Sequence, residues 1–508
     1  SLLLIGLGSV TTRADQTTAD RAEPAGADRT AVTTVSAASA TAAAVERPDL
    51  AGTRPNIIFI FSDDHAPHAI SAYGSVINET PNIDRLADGG MLFKRSYCCN
   101  SICGPSRAAI LTGLHSHANG FMQNGNRFDG HQQTFPQLLQ RAGYQTALYG
   151  KWHLNSDPVG FDDWAILPGQ GAYYNPNFIF PDGNRRVEGY CTDVATDMAI
   201  DWLENGRDTD KPFVLMCQHK APHRSWMPGP QELNMYDGET IPEPATLFDD
   251  YEGRTPAAAE TEMEIDRHMS FGYDLMCPID DDEWLMGAYR GNMNRMNDEQ
   301  RAAWDAAFSS ENNAFREAMP NMSDEDIIRW KYQRYIKNYL RCVAGVDRNV
   351  GRVLDWLDEN PELAANTIVI YSSDQGFYLG DNGWYDKRWM YEESFAMPLI
   401  VRWPGHIPAG VVNEELVQNI DYAPTFQMGH PLPFEFAERL VKHTPDDMNR
   451  VFFTNSGSES VDTALKIAIS YHRAKGNPGK TRLIGREKGY HGTNFGGISV
   501  GGLVNNRR

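Results

Sequence analysis

Residues 56–64 read Asn56-Ile57-Ile58-Phe59-Ile60-Phe61-Ser62-Asp63-Asp64, and this stretch decides the predicted fold. Its first six residues form a continuous apolar run, as expected of a strand buried on both faces of a parallel sheet. Residues 366–375 repeat the pattern, because an apolar run from Asn366 to Ser373 ends in Asp374-Gln375. Further apolar strands alternate with helical segments between the two. The sequence therefore predicts an α/β fold with a mostly parallel sheet and helices on both faces.

Both strands end in side chains with hard oxygen donors. Open α/β sheets bind ligands beyond the carboxyl ends of their strands, so we expect Asp63, Asp64, Asp374 and Gln375 to converge. Three carboxylates and an amide oxygen suit Ca²⁺, with Mg²⁺ as the alternative, rather than zinc or copper. An Asp after a strand is also a common N-cap or turn residue. That interpretation explains one Asp well, but not this whole set.

A second motif, Cys103-Gly104-Pro105-Ser106-Arg107, opens a predicted helix. Pro105 suits a first helical turn because it lacks an N–H that would go unpaired there. Residues 108–112 continue the helix, and Gly113 ends it. A group at Cys103 therefore lies at the positive end of a helix, where an anion is favoured. The alternative is a buried cysteine beside an ordinary helix N-terminus.

Composition limits the possible partners. The formal charge of −21 argues against binding to nucleic acid or to an anionic membrane surface. No apolar run approaches the roughly 20 residues of a membrane span. Seven cysteines are too few and too scattered for a disulfide framework. A pocket for an anionic substrate must then be locally basic, and four basic residues follow predicted strands or lie after Asp374, namely Lys151, His153, His223 and Lys387.

The cysteine motif resembles the signature of the type I sulfatases, in which the cysteine is oxidised to formylglycine. Three further segments match that family in order and context, over roughly residues 55–427, namely Gly150-Lys151-Trp152-His153, Ala221-Pro222-His223 and Tyr385-Asp386-Lys387-Arg388. The resemblance implies the alkaline-phosphatase-like fold and a sulfuric ester hydrolase. It also implies that a formylglycine-generating enzyme modifies Cys103 during maturation.

The resemblance assigns a role to each residue. The cation would be held by Asp63, Asp64, Asp374, Gln375 and the modified Cys103. Arg107 would orient the formylglycine hydrate, while Lys151, His223 and Lys387 would bind sulfate oxygens. His153 would contact the formylglycine hydroxyl and later act as its base.

The segments 220–226, 373–381 and 386–394 are similar to bacterial N-acetylglucosamine-6-sulfatases and mucin-desulfating enzymes. This implies a sulfated carbohydrate as substrate, from glycosaminoglycan, mucin or algal glycan. Two alternatives stay open: a phosphodiesterase or phosphonate monoester hydrolase of the same superfamily, and an inactive chimeric product. Three tryptophans either stack on a sugar face or belong to the core, namely Trp226, Trp384 and Trp389.

Residues 428–508 resemble a truncated class III pyridoxal-phosphate aminotransferase, which replaces the C-terminal subdomain expected of a sulfatase. In that family Ser456, Gly457 and Ser458 would form the phosphate cup, and Tyr490 would stack on the cofactor ring. The segment lacks the motif of the Schiff-base lysine, so we expect this site to be vestigial and non-functional. The predicted catalytic domain is residues 55–427, with residues 229–330 as an insertion of helices and loops near the mouth of the site.

The first 54 residues carry a different pattern. Residues 1–10 resemble the end of the apolar region of a signal peptide, which predicts a secreted or periplasmic protein. The alternative is an apolar disordered tail. Residues 11–54 are rich in Ala and Thr, and we expect them to be a disordered linker.

Overall fold

The structure is a computed structural model that describes residues 2–5, 54–280, 282–422, 437, 439–443, 450–453, 457–485, 489–492 and 495–501. Contacts between Cα atoms divide the chain into two units. The larger unit is residues 46–427, and the smaller unit is residues 1–45 together with residues 428–508.

The larger unit alternates strands and helices along its sequence. Its strands are β1 (Asn56–Ser62), β2 (Met91–Phe93), β3 (Ser96–Tyr97), β4 (Gln145–Lys151), β5 (Asp163–Leu167), β6 (Asn177–Phe180), β7 (Gly183–Arg186), β8 (Phe213–Gln218), β9 (Thr367–Ser373), β10 (Tyr378–Leu379), β11 (Tyr385–Asp386), β12 (Leu399–Arg402), β13 (Val411–Asn413) and β14 (Val417–Gln418). Its helices are α1 (Pro81–Asp88), α2 (Cys103–Thr112), α3 (Ser116–Asn119), α4 (Phe135–Arg141), α5 (Cys191–Asp201), α6 (Pro256–Ala259), α7 (Glu283–Met293), α8 (Asp298–Ala318), α9 (Asp324–Asp358), α10 (Pro361–Ala365) and α11 (Glu392–Phe395).

Ten of these strands form one sheet in the order β13-β2-β12-β9-β1-β8-β4-β5-β6-β7. The five central strands, from β9 to β5, are parallel. Antiparallel neighbours flank them, namely β12 on one side and the β6–β7 hairpin on the other. The predicted α/β fold with a mostly parallel sheet is confirmed. The hairpin was not predicted, because its second strand is fully exposed and carries no apolar alternation.

Helices cover both faces of the sheet, and the side chains of β1 are accordingly buried on both faces. Successive side chains of a strand point to opposite faces. Ile58 and Ile60 belong to one buried cluster, which is built with α5 and α9. Phe59 and Phe61 belong to a second buried cluster, which includes residues of α2. An apolar run without alternation is thus what a strand buried on both faces requires.

The register of the central strands positions the site. In the parallel pair of β1 and β9, Ser62 lies opposite Ser373, the last residues of the two strands. The residues that follow, Asp63 and Asp374, therefore leave the sheet side by side at its carboxyl edge. The next strand, β8, pairs with β1 on the other side and ends at Gln218.

The smaller unit contains a two-stranded antiparallel sheet, Leu2–Ile5 with Arg450–Phe453, and the helices Gly457–Ala474 and Phe495–Ser499. Most of the predicted signal-peptide remnant (residues 1–10) and nearly all of the predicted linker (residues 11–54) lie outside the described residues. Within the described part of the chain, no helix combines the length and apolarity needed to cross a membrane.

The central strand β8 should tolerate truncation poorly. Leu215 is completely buried, so Leu215→Ala removes apolar contacts and leaves a cavity. We expect the free energy of unfolding, measured by urea titration, to fall by about 2–5 kcal/mol. Val76→Ala is the control, because Val76 is 86% exposed, and its effect should stay within about 0.5 kcal/mol. Equal effects of the two substitutions would contradict the central position of β8.

Candidate active site

Three carboxylates meet at the carboxyl edge of the sheet. One oxygen each of Asp63, Asp64 and Asp374 lies within 4.8 Å of the others, and all three residues are fully buried. The backbone N–H of Asp64 donates to Asp374 Oδ1 at 3.1 Å, and Gln375 Nε2 donates to Asp64 Oδ1. The structure therefore brings together the four residues that the two strand ends predicted.

Three oxygen atoms of this cluster lack a hydrogen-bond donor among the described residues. Asp63 Oδ1, Asp64 Oδ2 and Gln375 Oε1 are buried and accept no hydrogen bond from any described residue. Buried oxygens are normally paired, since leaving them bare costs free energy. Burial raises the pKa of Asp374 well above its usual value, and repulsion from Asp63 adds to this. Burial also raises the pKa of Asp64 to about 6. Bare, crowded, hard oxygens fit a divalent cation such as Ca²⁺ or Mg²⁺.

Three buried cationic side chains surround the carboxylates. Lys151 Nζ pairs with Asp63, Lys387 Nζ pairs with Asp64, and Arg107 Nε donates to Asp374 Oδ2 at 3.0 Å. Burial alone would raise the pKa of Asp63, but Lys151, His223 and Arg107 hold it well below its usual value. The site thus gathers three cationic groups against three carboxylates, so it lacks the negative excess of a chain whose net charge is −21.

Cys103 lies against this cluster. It is the first residue of α2, which ends at Gly113 with the left-handed φ of +64°. Its sulfur lies within 4.8 Å of an oxygen of Asp63 and a ring nitrogen of His223. Burial, reinforced by Asp63, raises the pKa of the Cys103 thiol to about 12. The unmodified thiol is therefore protonated at neutral pH and is a poor nucleophile.

The rest of the motif fixes α2 in place. A Cβ atom at position 104 would lie 2.7 Å from Phe121 Cε1, so only glycine fits there. Ser106 Oγ donates to the carbonyl oxygen of Asp374 and accepts from Asn419 Nδ2 at 2.8 Å. Arg107 adds its bond to the Asp374 carboxylate. The helix that carries Cys103 is therefore tied directly to the strand end that carries Asp374.

The two histidines have different surroundings. His223 Nδ1 lies 2.6 Å from the carbonyl oxygen of Arg224, so Nδ1 carries the proton and donates. The other nitrogen, Nε2, lies 3.7 Å from Asp64 Oδ2. His153 is half-buried, and burial lowers its pKa to about 3. Its carbonyl oxygen lies 3.2 Å from the place of a Cβ at Gly104, so His153 flanks the start of α2.

Sequence reasoning missed three polar residues of the site. Gln218 Oε1 accepts from Arg107 Nη1 at 2.9 Å, and Gln170 Oε1 accepts from Lys151 Nζ. Lys220 is buried, and its Nζ donates to the carbonyl oxygen of Arg224 at 3.2 Å. Burial lowers the pKa of Lys220 to about 8. Gln218 and Lys220 lie at the end of β8, so their position at the end of a predicted buried strand could have identified them as site residues. Gln170 comes from a loop, and no sequence pattern marks it as a site residue.

A cavity of about 640 Å³ opens above the cluster, with Cys103, His223 and Lys387 in its lining. Residues of the predicted insertion line it as well, between Arg267 and Leu285. Two of the three predicted tryptophans, Trp226 and Trp384, are completely buried and belong to the core. They cannot stack on a sugar. The third predicted tryptophan, Trp389, is half-buried and packs against Trp384, with ring centroids 5.6 Å apart.

The aminotransferase-like segment was predicted to keep a vestigial cofactor site. Ser456 lies outside the described residues, whereas Gly457 and Ser458 begin the helix Gly457–Ala474. A Cβ at Gly492 would lie 2.7 Å from Ser458 Cα, so the turn after Tyr490 packs against this helix start. Tyr490 itself is 61% exposed.

Known proteins resemble the two parts of the chain separately. Residues 55–427 match the Sulfatase family, and residues 417–507 match the Aminotransferase class-III family. The N-acetylglucosamine-6-O-sulfatase of Bacteroides thetaiotaomicron is 49% identical over 383 residues, which are 73% of this chain and 67% of that protein. The omega-aminotransferase of Caulobacter vibrioides is 70% identical over 88 residues, which are 17% of this chain and 20% of that protein.

A solved structure agrees with the first match. BT4656, in complex with its substrate D-glucosamine-2-N,6-O-disulfate, is 48% identical and superposes with a TM-score of 0.70, covering 74% of this chain and 76% of that one. Both predicted resemblances are confirmed. The chain spans about two thirds of the N-acetylglucosamine-6-O-sulfatase but only a fifth of the aminotransferase. The protein described here belongs to the sulfatase family.

Proposed function

We propose that the protein hydrolyses the 6-O-sulfate ester of N-acetylglucosamine-type sugars in sulfated glycans. The observation that carries this proposal is the position of Cys103 beside the carboxylate cluster, which includes the bare oxygens of Asp63 and Asp64, next to an open cavity. The choice of sugar rests on relatives, since a 49% identical protein is named an N-acetylglucosamine-6-O-sulfatase and a 48% identical solved structure contains D-glucosamine-2-N,6-O-disulfate.

Three basic side chains would receive the sulfate group. A sulfate monoester resists attack because its negative oxygens shield the sulfur atom. Lys387 and His223 line the cavity, and Lys151 lies below them beside Asp63. They would neutralise the sulfate oxygens, with most effect on the charge that develops in the transition state. All three are buried, which strengthens each interaction relative to water.

Residue 103 would act in its oxidised form. The formylglycine hydrate supplies an oxygen nucleophile and a second hydroxyl whose deprotonation lets sulfate leave. The raised pKa of the Cys103 thiol supports this, because a protonated thiol is a weak nucleophile without a second hydroxyl. Arg107 would orient the hydrate, since its guanidinium is held by Asp374, Gln218 and the carbonyl of Lys151.

Proton transfer requires an acid and a base. The departing sugar oxygen would be protonated by His223 or Lys387, which both line the cavity. The Nδ1 proton of His223 is held by Arg224, and burial lowers the pKa of His223 well below its usual value, so Nε2 would have to gain a proton before it could act as the acid. Burial alone would lower the pKa of Lys387, but Asp64 and the other anionic groups around it together raise this pKa above its usual value, so Lys387 holds its proton tightly. His153 beside Gly104 would take the proton from the second hydroxyl of residue 103, since burial keeps His153 neutral.

We infer that the cation is Ca²⁺, with Mg²⁺ as the alternative. Asp63, Asp64, Asp374 and Gln375 would hold it, together with the modified Cys103, and its charge would polarise the sulfate. The apolar composition of residues 2–10 supports export, so that the protein would meet extracellular glycans in the periplasm or outside the cell. A formylglycine-generating enzyme would act on the unfolded chain before that.

Cation binding should be visible as thermal stabilisation. Adding Ca²⁺ relieves the repulsion among the carboxylates, so we expect a higher melting temperature. The shift should be larger near pH 7.5 than near pH 5, because the pKa of Asp64 is raised to about 6 and protons then compete with the cation.

Two variants test this assignment by differential scanning fluorimetry. Asp374→Asn should lose most of the Ca²⁺-induced shift. Asp347→Asn is a matched control, because Asp347 is also buried but accepts hydrogen bonds from the start of α1. It should lower the melting temperature yet keep the shift. An identical shift in both variants would place the cation elsewhere.

Activity should depend on residue 103. Cys103→Ala should reduce sulfate release from N-acetylglucosamine-6-sulfate by at least about 10³-fold, because no nucleophile remains. Cys99→Ala is the control, since Cys99 is only half-buried and lies outside the cluster, and it should keep its rate. Mass spectrometry of the Cys103 peptide from active protein should show a loss of about 18 Da on conversion to formylglycine.

The same preparation separates the alternatives. If the protein hydrolyses an aryl phosphate or phosphonate ester faster than the matched aryl sulfate, the result would favour its assignment as a phosphodiesterase or phosphonate monoester hydrolase. An unmodified Cys103 peptide together with no sulfate release, after coexpression with a formylglycine-generating enzyme, would favour the inactive chimera.

A further inference from the structure

Trp284 stands out among the residues that line the cavity. Its side chain is 69% exposed, whereas most tryptophans of the described chain are buried or half-buried. It lies in the first turn of α7, within the insertion, and lines the same cavity as Cys103 and His223. Large exposed aromatic side chains at the rim of a cavity are typical of ligand contact.

Trp284 is connected through Tyr273 to the segment that carries His223 and Arg224. The ring centroids of Trp284 and Tyr273 are 5.8 Å apart at an angle of 51°. On its other side, Tyr273 meets the guanidinium of Arg224, which lies 5.2 Å from the ring centroid. Arg224 follows His223 directly in the chain. Two contacts thus lead from this segment to the exposed indole, and all four residues line the cavity.

Three acidic side chains hold together the part of the insertion that lines the cavity, residues 267–285, by hydrogen bonds to its backbone and to Arg224. Asp282 caps α7 by accepting from the N–H of Trp284 at 2.8 Å. Asp274 accepts from Arg224 Nε at 2.8 Å and from the N–H of Ser270 at 2.9 Å. Asp280 accepts from the N–H of Phe271 at 3.3 Å. A surface held in this way is preorganised for binding.

The arginines among the residues that line the cavity are already paired with carboxylates. The three arginines that line the cavity contact carboxylates, namely Arg224 with Asp274, Arg267 with Glu264, and Arg388 with Asp386. Lys331 Nζ donates to the carbonyl oxygen of Asp266 at 2.7 Å. Apart from Lys331, which follows the insertion directly, the insertion residues that line the cavity therefore offer an aromatic surface and little unpaired positive charge, while Lys151, His223 and Lys387 would receive the sulfate. An uncharged, apolar face of the substrate therefore suits this part of the cavity better than a second anionic group does.

We propose that Trp284, supported by Tyr273, is a stacking platform for the sugar ring of the substrate and that it determines specificity for sulfated carbohydrate. This inference rests on the function proposed above. A pyranose presents a face of C–H groups that packs flat on an indole, and aromatic rings supply such area with little loss of conformational entropy. Trp284 would then bind the sugar and leave the sulfate to the three basic side chains.

The test compares binding of a sugar sulfate with binding of sulfate alone. In the Cys103→Ala background, calorimetry measures the Kd of N-acetylglucosamine-6-sulfate and of inorganic sulfate. Trp284→Ala should raise the Kd of the sugar sulfate by about three- to ten-fold and leave that of inorganic sulfate unchanged. Trp284→Phe keeps a ring and should stay closer to the parent.

Phe248→Ala is the matched control, because Phe248 is a 41% exposed aromatic of the same insertion that packs against Arg329 and does not line the cavity. It should change neither constant. The proposal would be wrong if Trp284→Ala left the Kd of the sugar sulfate unchanged. It would also be wrong if Trp284→Ala raised the Kd of inorganic sulfate by the same factor. Binding is measured apart from turnover, so a wild-type protein that binds the sugar sulfate but releases no sulfate would refute the proposed function alone.

Discussion

The structure depends on one electrostatic constraint, the burial of three carboxylates at the ends of two adjacent parallel strands. Asp63, Asp64 and Asp374 are fully buried, and burying a charge without a partner is strongly unfavourable. Arg107, Lys151 and Lys387 each bind one of them. Even so, three oxygens of the cluster accept no hydrogen bond from the described residues. The three cationic side chains balance the three carboxylates in number, and the oxygens that accept no hydrogen bond are of the kind that bind a divalent cation.

This constraint explains why the cysteine motif is strict. A buried helix start must be held within about 0.5 Å to present Cys103 to the cluster, and the motif supplies the contacts that do so. Glycine at 104 permits the close approach of Phe121, and the Ser106 hydroxyl binds the backbone of Asp374. The same strictness appears at Gly376, where a Cβ would lie 2.2 Å from the carbonyl oxygen of Glu393. Positions that look like a signature in the sequence are positions where the structure leaves no space or no spare hydrogen bond.

The sequence predicted those parts of the site that local patterns determine. The apolar runs before Asp63 and Asp374 reveal buried parallel strands, and parallel strands bring their carboxyl ends to one edge. Sequence patterns do not predict a residue whose place in the site depends on packing between distant segments. Gln170 reaches Lys151 from a loop without periodicity, and the hairpin Asn177–Arg186 lacks apolar alternation in its exposed strand. Trp284 was not singled out, because its exposure follows from how the weakly patterned insertion folds over the site.

The sulfate and the sugar are received by different parts of the site, the basic residues at the sheet edge and the insertion around Trp284. This explains how a chain of net charge −21 can accept an anionic substrate. The positive groups that matter are buried at the sheet edge, where the low local dielectric strengthens them and bulk salt screens them little. Two acidic residues of the insertion pair with arginines that line the cavity, Asp274 with Arg224 and Glu264 with Arg267. These two carboxylates are therefore neutralised locally and hold the surface of the insertion together. Such a site gains selectivity from geometry, because the anionic group and the sugar are received by different elements of the fold.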